Sequence, residues 1–324
     1  MKKLMMLCSV MLLSAVFLAG CGNEDSSSSE KKSDGKLTIY TTIYPIEDFT
    51  KKIGGDNVTV KSVIPNGVDA HSFEPTTKDM LKIAKADAFI YSGAGAEGFA
   101  DAANKTLKDE NVKMIKATEG ADLIAGHDDH DHEHGEEHGD EHEHEHEHGD
   151  LDPHFWLDPQ RSIVMAENIK NALSELEPSK KDEFEKNFKQ VKTDLEELDK
   201  KYEEAIKNAP SKEILVSHAA YGYWEDRYGI EQISVSGLSP TQEPSQKELK
   251  EIVETAEEHN IKYVIFDANV TNKIATLVRK EIGAESLTLN NMETLRDQDR
   301  ENGEDYFSLM NKNLEALKKA LNSK

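Results

Sequence analysis

Imidazole and carboxylate side chains bind divalent cations near neutral pH, and this sequence distributes them unevenly. Of 13 His, four stand apart from a low-complexity tract: His71, His154, His218 and His259. His71 lies in Asp69-Ala70-His71-Ser72-Phe73-Glu74-Pro75, and His154 in Asp152-Pro153-His154-Phe155-Trp156-Leu157-Asp158-Pro159. His218 follows the apolar run Ile214-Leu215-Val216, and Asp267 ends Val264-Ile265-Phe266. Ligands of open α/β sheets bind beyond the carboxyl ends of the strands, where such residues would fall. Three neutral nitrogen donors and one anionic oxygen suit Zn²⁺, which prefers tetrahedral N, O or S ligation. Each residue taken singly also fits an ordinary hydrogen-bonded loop residue. His259 sits in Glu257-Glu258-His259-Asn260 and reads as part of a solvated helix end.

The elements that must carry these residues alternate in period. Leu37 to Thr42, Val58 to Ile64, Ala88 to Tyr91 and Val112 to Ile115 read as strands. Between them, Ile46 to Ile53, Thr77 to Ala86 (with Leu81 and Ala84 inward) and Glu97 to Leu107 read as helices. The alternation restarts at Ile214 to Ser217 and continues through Tyr306 to Leu321. Such alternation implies α/β architecture with mostly parallel sheets flanked by helices, and the restart implies two lobes. Between the lobes, Phe184, Phe188, Val191, Leu195, Leu198, Tyr202 and Ile206 form a near-heptad stripe. Pro178 and Pro210 bound it, predicting a single helix of ~45 Å. We read it as a rigid helix joining the lobes, in preference to an intermolecular coiled coil. The expected division is a signal segment 1–20, a linker 21–36, a first lobe 37–177, the linking helix 178–208 and a second lobe 209–324.

The chain of 324 residues has 39 Lys+Arg against 63 Asp+Glu, a formal net charge of −24. That balance offers no basic face for nucleic acid. Half of the net charge lies in 127–150, which holds only His, Asp, Glu and Gly. Its histidines are His127, His130, His132, His134, His138, His142, His144, His146 and His148. The match His142-Glu143-His144-Glu145-His146 to a zinc-protease motif is an accident of low complexity, because nothing apolar surrounds it. The tract reads instead as a weak, multi-ion zinc collector or a zinc sensor, disordered without metal.

At the amino end, Lys2 and Lys3 precede the apolar run Leu4 to Leu18, the pattern of a secretory signal. Its ending, Leu18-Ala19-Gly20-Cys21, resembles the bacterial lipobox, which implies lipidation of Cys21 (palmitate among the acyl groups) after cleavage. Cys8 is then lost and Cys21 occupied, leaving no thiol for a disulfide or a thiolate metal site. Residues 22–35, polar and Ser-rich, read as a tether. The chain is therefore expected on the outer face of the cytoplasmic membrane, most naturally in a cell of Gram-positive type.

The phrases around His71 and His154, together with Ser217-His218-Ala219-Ala220-Tyr221-Gly222-Tyr223, resemble the metal-binding motifs of the cluster A-I solute-binding proteins. These are extracytoplasmic receptors of zinc and manganese ABC importers. Gly237-Leu238-Ser239-Pro240-Thr241-Gln242-Glu243-Pro244-Ser245 is similar to a signature of the zinc branch. The resemblance spans the chain from about residue 37. It implies a metal site in the cleft between two lobes, with His71, His154 and His218 as ligands and Asp267 at the acidic fourth position. The family often has Glu there, so water or Glu74 is the alternative fourth donor. It further implies Zn²⁺ as cargo, with Mn²⁺ disfavoured because His218 stands where manganese members usually carry Glu. The implied partners are an ABC permease and its ATPase, the receptor acting as a monomer and not as an enzyme.

Overall fold

A computed structural model describes residues 35–126 and 151–323. Cys21, the signal segment, the tether up to residue 34 and the nine tract histidines lie outside the described residues.

The first sheet is built from β1 (Leu37–Thr41), β2 (Val58–Ser62), β3 (Ala88–Tyr91) and β4 (Lys113–Lys116), all parallel, in the order β2-β1-β3-β4. Its crossovers carry α1 (Tyr44–Gly54), α2 (Thr77–Ala84) and α3 (Ala100–Thr106). Two helices follow, α4 (Pro159–Leu176) and α5 (Lys181–Lys207). The second sheet repeats the first: β5 (Glu213–His218), β6 (Glu231–Ser236), β7 (Tyr263–Asp267) and β8 (Glu285–Leu289), parallel in the order β6-β5-β7-β8. With it run α6 (Gly222–Tyr228), α7 (Gln246–Glu258), α8 (Lys273–Glu281), α9 (Asp297–Glu301) and α10 (Tyr306–Leu321). Parallel pairing requires crossovers that cover the sheet faces, which is why strands such as Ala88–Tyr91 are buried along their whole length.

The stripe of α5 is buried inside its own chain, from Phe184 through Ile206. The helix has 27 residues, about 40 Å at 1.5 Å each. It packs on α4, α1 and α10, so its apolar face is satisfied without a second copy. A single core runs from β1 across α4 and α5 to α10 and the face of β5, which places both sheets on one continuous scaffold.

The helix α2 departs from the expected inward set. Thr76 and Asp79 form a capping box that fixes its start. From that start the core side is Ile83, with Met80 and Ala84 packed beside it, and Leu81 points to solvent at 59% exposure. Glu97 precedes α3 as a buried loop residue rather than opening a helix. Among the described residues no helix is long and apolar enough to cross a membrane.

Candidate metal centre

Most of the candidate residues sit at the carboxyl ends of strands or in the loops that follow them, where parallel packing leaves a crevice. His71 lies in the loop after β2. Its N–H donates to Asp69 Oδ1 at 3.2 Å, and Ser72 Oγ donates to Asp69 Oδ2 at 2.6 Å, closing a tight turn. His154 leads into a short 3₁₀ turn, Phe155–Leu157, whose three side chains are wholly buried. His218 is the last residue of β5 and Asp267 the last of β7. Glu293 lies four residues past β8.

Glu293 is the residue that gathers the imidazoles. Its Oε1 lies 3.3 Å from His71 Nε2, 3.4 Å from His154 Nε2 and 3.9 Å from His218 Nε2. All three Nε2 atoms are buried without a hydrogen-bond partner. Buried polar atoms without partners are rare and costly, and three of them aimed at one carboxylate oxygen mark a place built for a cation. Among the described residues, His71, His154 and Glu293 offer ligand atoms that all lie within 4.8 Å of one another. The ring centroids of His154 lie 5.4 Å from those of His71 and 5.5 Å from those of His218.

The far nitrogens are fixed by two other carboxylates. Asp152 Oδ1 meets His154 Nδ1 at 2.8 Å and accepts from the His154 N–H at 2.9 Å. Asp267 Oδ2 meets His218 Nδ1 at 2.5 Å. A carboxylate on Nδ1 selects the tautomer that leaves Nε2 free as a donor to metal. Asp267 is held in turn by Ser217 Oγ at 2.6 Å and Tyr221 Oη at 3.3 Å. The structure thus places Asp267, the expected fourth ligand, behind His218, with both of its oxygens already engaged. An aspartate at the end of β7 is too short to reach past the ring it supports. Glu74 is exposed and outside the group. His259 is paired with Glu213 at the surface.

The electrostatics of the two central groups are coupled. Burial would lower the pKa of His154, but its hydrogen bond to Asp152 and the proximity of Glu293 outweigh it and raise it to about 9. Burial would raise that of Glu293, yet His71 and His154 hold it well below the usual carboxylate range. The metal-free centre is therefore an anionic carboxylate facing a protonated imidazole, a pair that one divalent cation can replace.

One residue central to this geometry, Glu293, escapes a search for histidines. The carboxyl-end rule applied to β8 would have pointed to it, because Asn290-Asn291-Met292-Glu293 directly follows that strand.

Comparison with known proteins gives one consistent answer. Residues 39–320 match the family described as ZnuA, zinc-uptake complex component A, periplasmic. The chain is 39% identical over 322 residues to the zinc-binding lipoprotein AdcA of Streptococcus pneumoniae, covering 98% of this chain and 61% of that protein. It therefore spans about three fifths of the length of that relative. It is 38% identical over 312 residues to the high-affinity zinc uptake system protein ZnuA of Bacillus subtilis, covering 96% of each. The crystal structure of the Zn(II)-bound ZnuA-like domain of the pneumococcal AdcA superposes with a TM-score of 0.74. There the identity is 37%, over 89% of this chain and 100% of that one.

Proposed function

Because this chain belongs to the ZnuA family of zinc-uptake components, we propose that it captures Zn²⁺ outside the cytoplasmic membrane and delivers it to an ABC permease. The observation that carries this reading is the convergence of three partnerless, buried Nε2 atoms on Glu293 Oε1. We take His71, His154, His218 and Glu293 as the ligands, with Asp152 and Asp267 as the carboxylates that orient two of the imidazoles. Three imidazoles and one carboxylate suit the borderline-soft zinc ion better than manganese, which favours oxygen donors. Four protein donors also leave no open coordination position of the kind a hydrolytic zinc site keeps for water, in keeping with a carrier.

The donors come from both lobes, so a shift of one lobe against the other at the permease would open the shell and release the ion. Lipid attached at Cys21 would keep the receptor beside its permease. The tract histidines would collect zinc weakly, the role their composition suggests.

Zinc and manganese titrations of the full chain test this reading, alongside His71→Ala and a deletion of residues 127–149. The expected result is one tight zinc, lost in His71→Ala, and several weak ions, lost in the deletion. Tighter binding of manganese than of zinc, or loss of the tight ion in the deletion, would refute it.

A further inference from the structure

The carboxylate at the centre is itself held by an amide. Asn291 Nδ2 donates to Glu293 Oε1 at 2.9 Å, and this is the same oxygen that faces the three Nε2 atoms. Asn291 is buried and cannot turn away. Its Oδ1 accepts the Glu293 N–H at 3.3 Å, and its carbonyl accepts Trp156 Nε1 at 2.6 Å. The flanking residues are clamped as well. Asn313 Oδ1 accepts from the Asn290 N–H, Asn313 Nδ2 donates to the Asn290 carbonyl, and both bonds are 2.8 Å long. The Met292 N–H donates to Asn290 Oδ1 at 2.9 Å, with Met292 in the left-handed region at φ 60°. A buried methionine holds that conformation only where its surroundings over-determine it. The Tyr44 N–H, from the first lobe, donates to the Glu293 carbonyl at 3.0 Å.

A carboxylate oxygen accepts through two lone pairs. With one committed to Asn291, Oε1 keeps one for an ion, and the amide fixes the plane of the carboxyl group so that this oxygen leads. We propose that Asn291 is a selectivity-determining positioning residue, which holds Glu293 as a monodentate ligand and keeps the shell at four donors. Zinc is satisfied by four, whereas manganese favours an octahedron of oxygens and gains from a carboxylate free to swing into bidentate contact. The proposal rests on Glu293 being a ligand, as read above.

The test uses the full chain with one equivalent of Co²⁺, read against His71→Ala so that absorption from tract-bound ions is removed. Four-coordinate Co²⁺ absorbs visible light far more strongly than five- or six-coordinate Co²⁺. Asn291→Ala removes the donor, and Asn291→Asp removes it while keeping the acceptor for the Glu293 N–H, so one variant serves if the other fails to fold. Both are expected to lose visible intensity, and their preference for zinc over manganese should fall about tenfold, at the low end of outer-shell effects. An unchanged spectrum with zinc and manganese weakened equally would leave Asn291 a merely structural role and overturn the proposal. Glu293→Gln separates the two ideas. If it alters the spectrum, Glu293 is a ligand and the Asn291 result stands on its own. If it leaves the spectrum unaltered, the ligand assignment itself falls.

Discussion

The raised pKa of His154 gives zinc capture a definite pH dependence. In the metal-free chain that pKa is about 9, set by Asp152 and Glu293 against the opposing effect of burial. A zinc ion takes the imidazole only after the proton leaves. At pH 7 the proton is on the ring in roughly 99 of 100 metal-free molecules, so affinity should lie about 100-fold, or roughly 3 kcal/mol, below its alkaline plateau. Binding at pH 7 should release about one proton from this residue, read by calorimetry in buffers of different ionisation enthalpy. The same proton has the opposite effect on the empty fold. A histidine whose folded pKa exceeds its unfolded value of 6.5 adds stability that is complete below pH 6.5 and lost as pH rises through about 9. Raising the pH from 7 to 9 should therefore lower that contribution in metal-free protein while tightening zinc. Asp152→Asn removes the principal cause. Its zinc affinity should fall about 10–100-fold at the alkaline plateau, with a flatter profile between pH 7 and 9 and a smaller deficit at pH 7. Zinc affinity that is level from pH 7 to 9 in the parent, with no proton released at pH 7, would refute the coupling.

How far the centre can be read from sequence follows from where each donor sits. His71, His154 and His218 stand out because few other histidines lie outside the tract, and each follows a recognisable strand end or motif. Glu293 does not, since acidic residues are abundant in this chain and its loop contains no histidine. The acidic residue at the end of β7 was the visible candidate. Only the register of β5 and β7, which sets Asp267 against His218 Nδ1, shows that it reaches the far side of the ring. The two-lobed α/β pattern was legible because alternating strands and helices leave separate periodicities, and the stripe of α5 because seven apolar residues hold one face. The expected inward position of Leu81 failed for a local reason. Apolar spacing over a two-turn helix leaves its rotation open, and the Thr76 cap, not the pattern, decides it. Asn291 carries no such signal, because an asparagine pair after a strand reads as turn chemistry.

Further substitutions probe the stability of the fold and the support of the centre. Arg300 holds the buried Glu47 of α1 through two bonds of 3.0 and 3.1 Å, with Lys51 as a second partner. Arg300→Ala should cost about 1–2 kcal/mol in urea unfolding, below the 3–5 kcal/mol of a fully buried pair because the guanidinium is partly solvated; no change would mean that this ion pair carries no stability. Gly222, at the start of α6, packs against the carboxylate that supports His154. A Cβ there would stand 2.4 Å from Asp152 Oδ2 and 3.4 Å from Ile124 Cδ1. In Gly222→Ala the carboxylate must retreat from His154, or α6 must move and strain the bond from Tyr223 Oη to the Asp152 carbonyl, now 2.8 Å. Either way His154 loses its alignment, and zinc affinity should fall about 10–100-fold. Gly229, at the other end of the same helix, provides the control. Its φ of +68° strains an alanine, but no atom lies within 4 Å of the added carbon. Gly229→Ala should therefore lose roughly 1 kcal/mol or more of stability and keep its zinc affinity. If both variants lose affinity alike, the effect is general destabilisation, and the packing of Asp152 against Gly222 does not position the ligand.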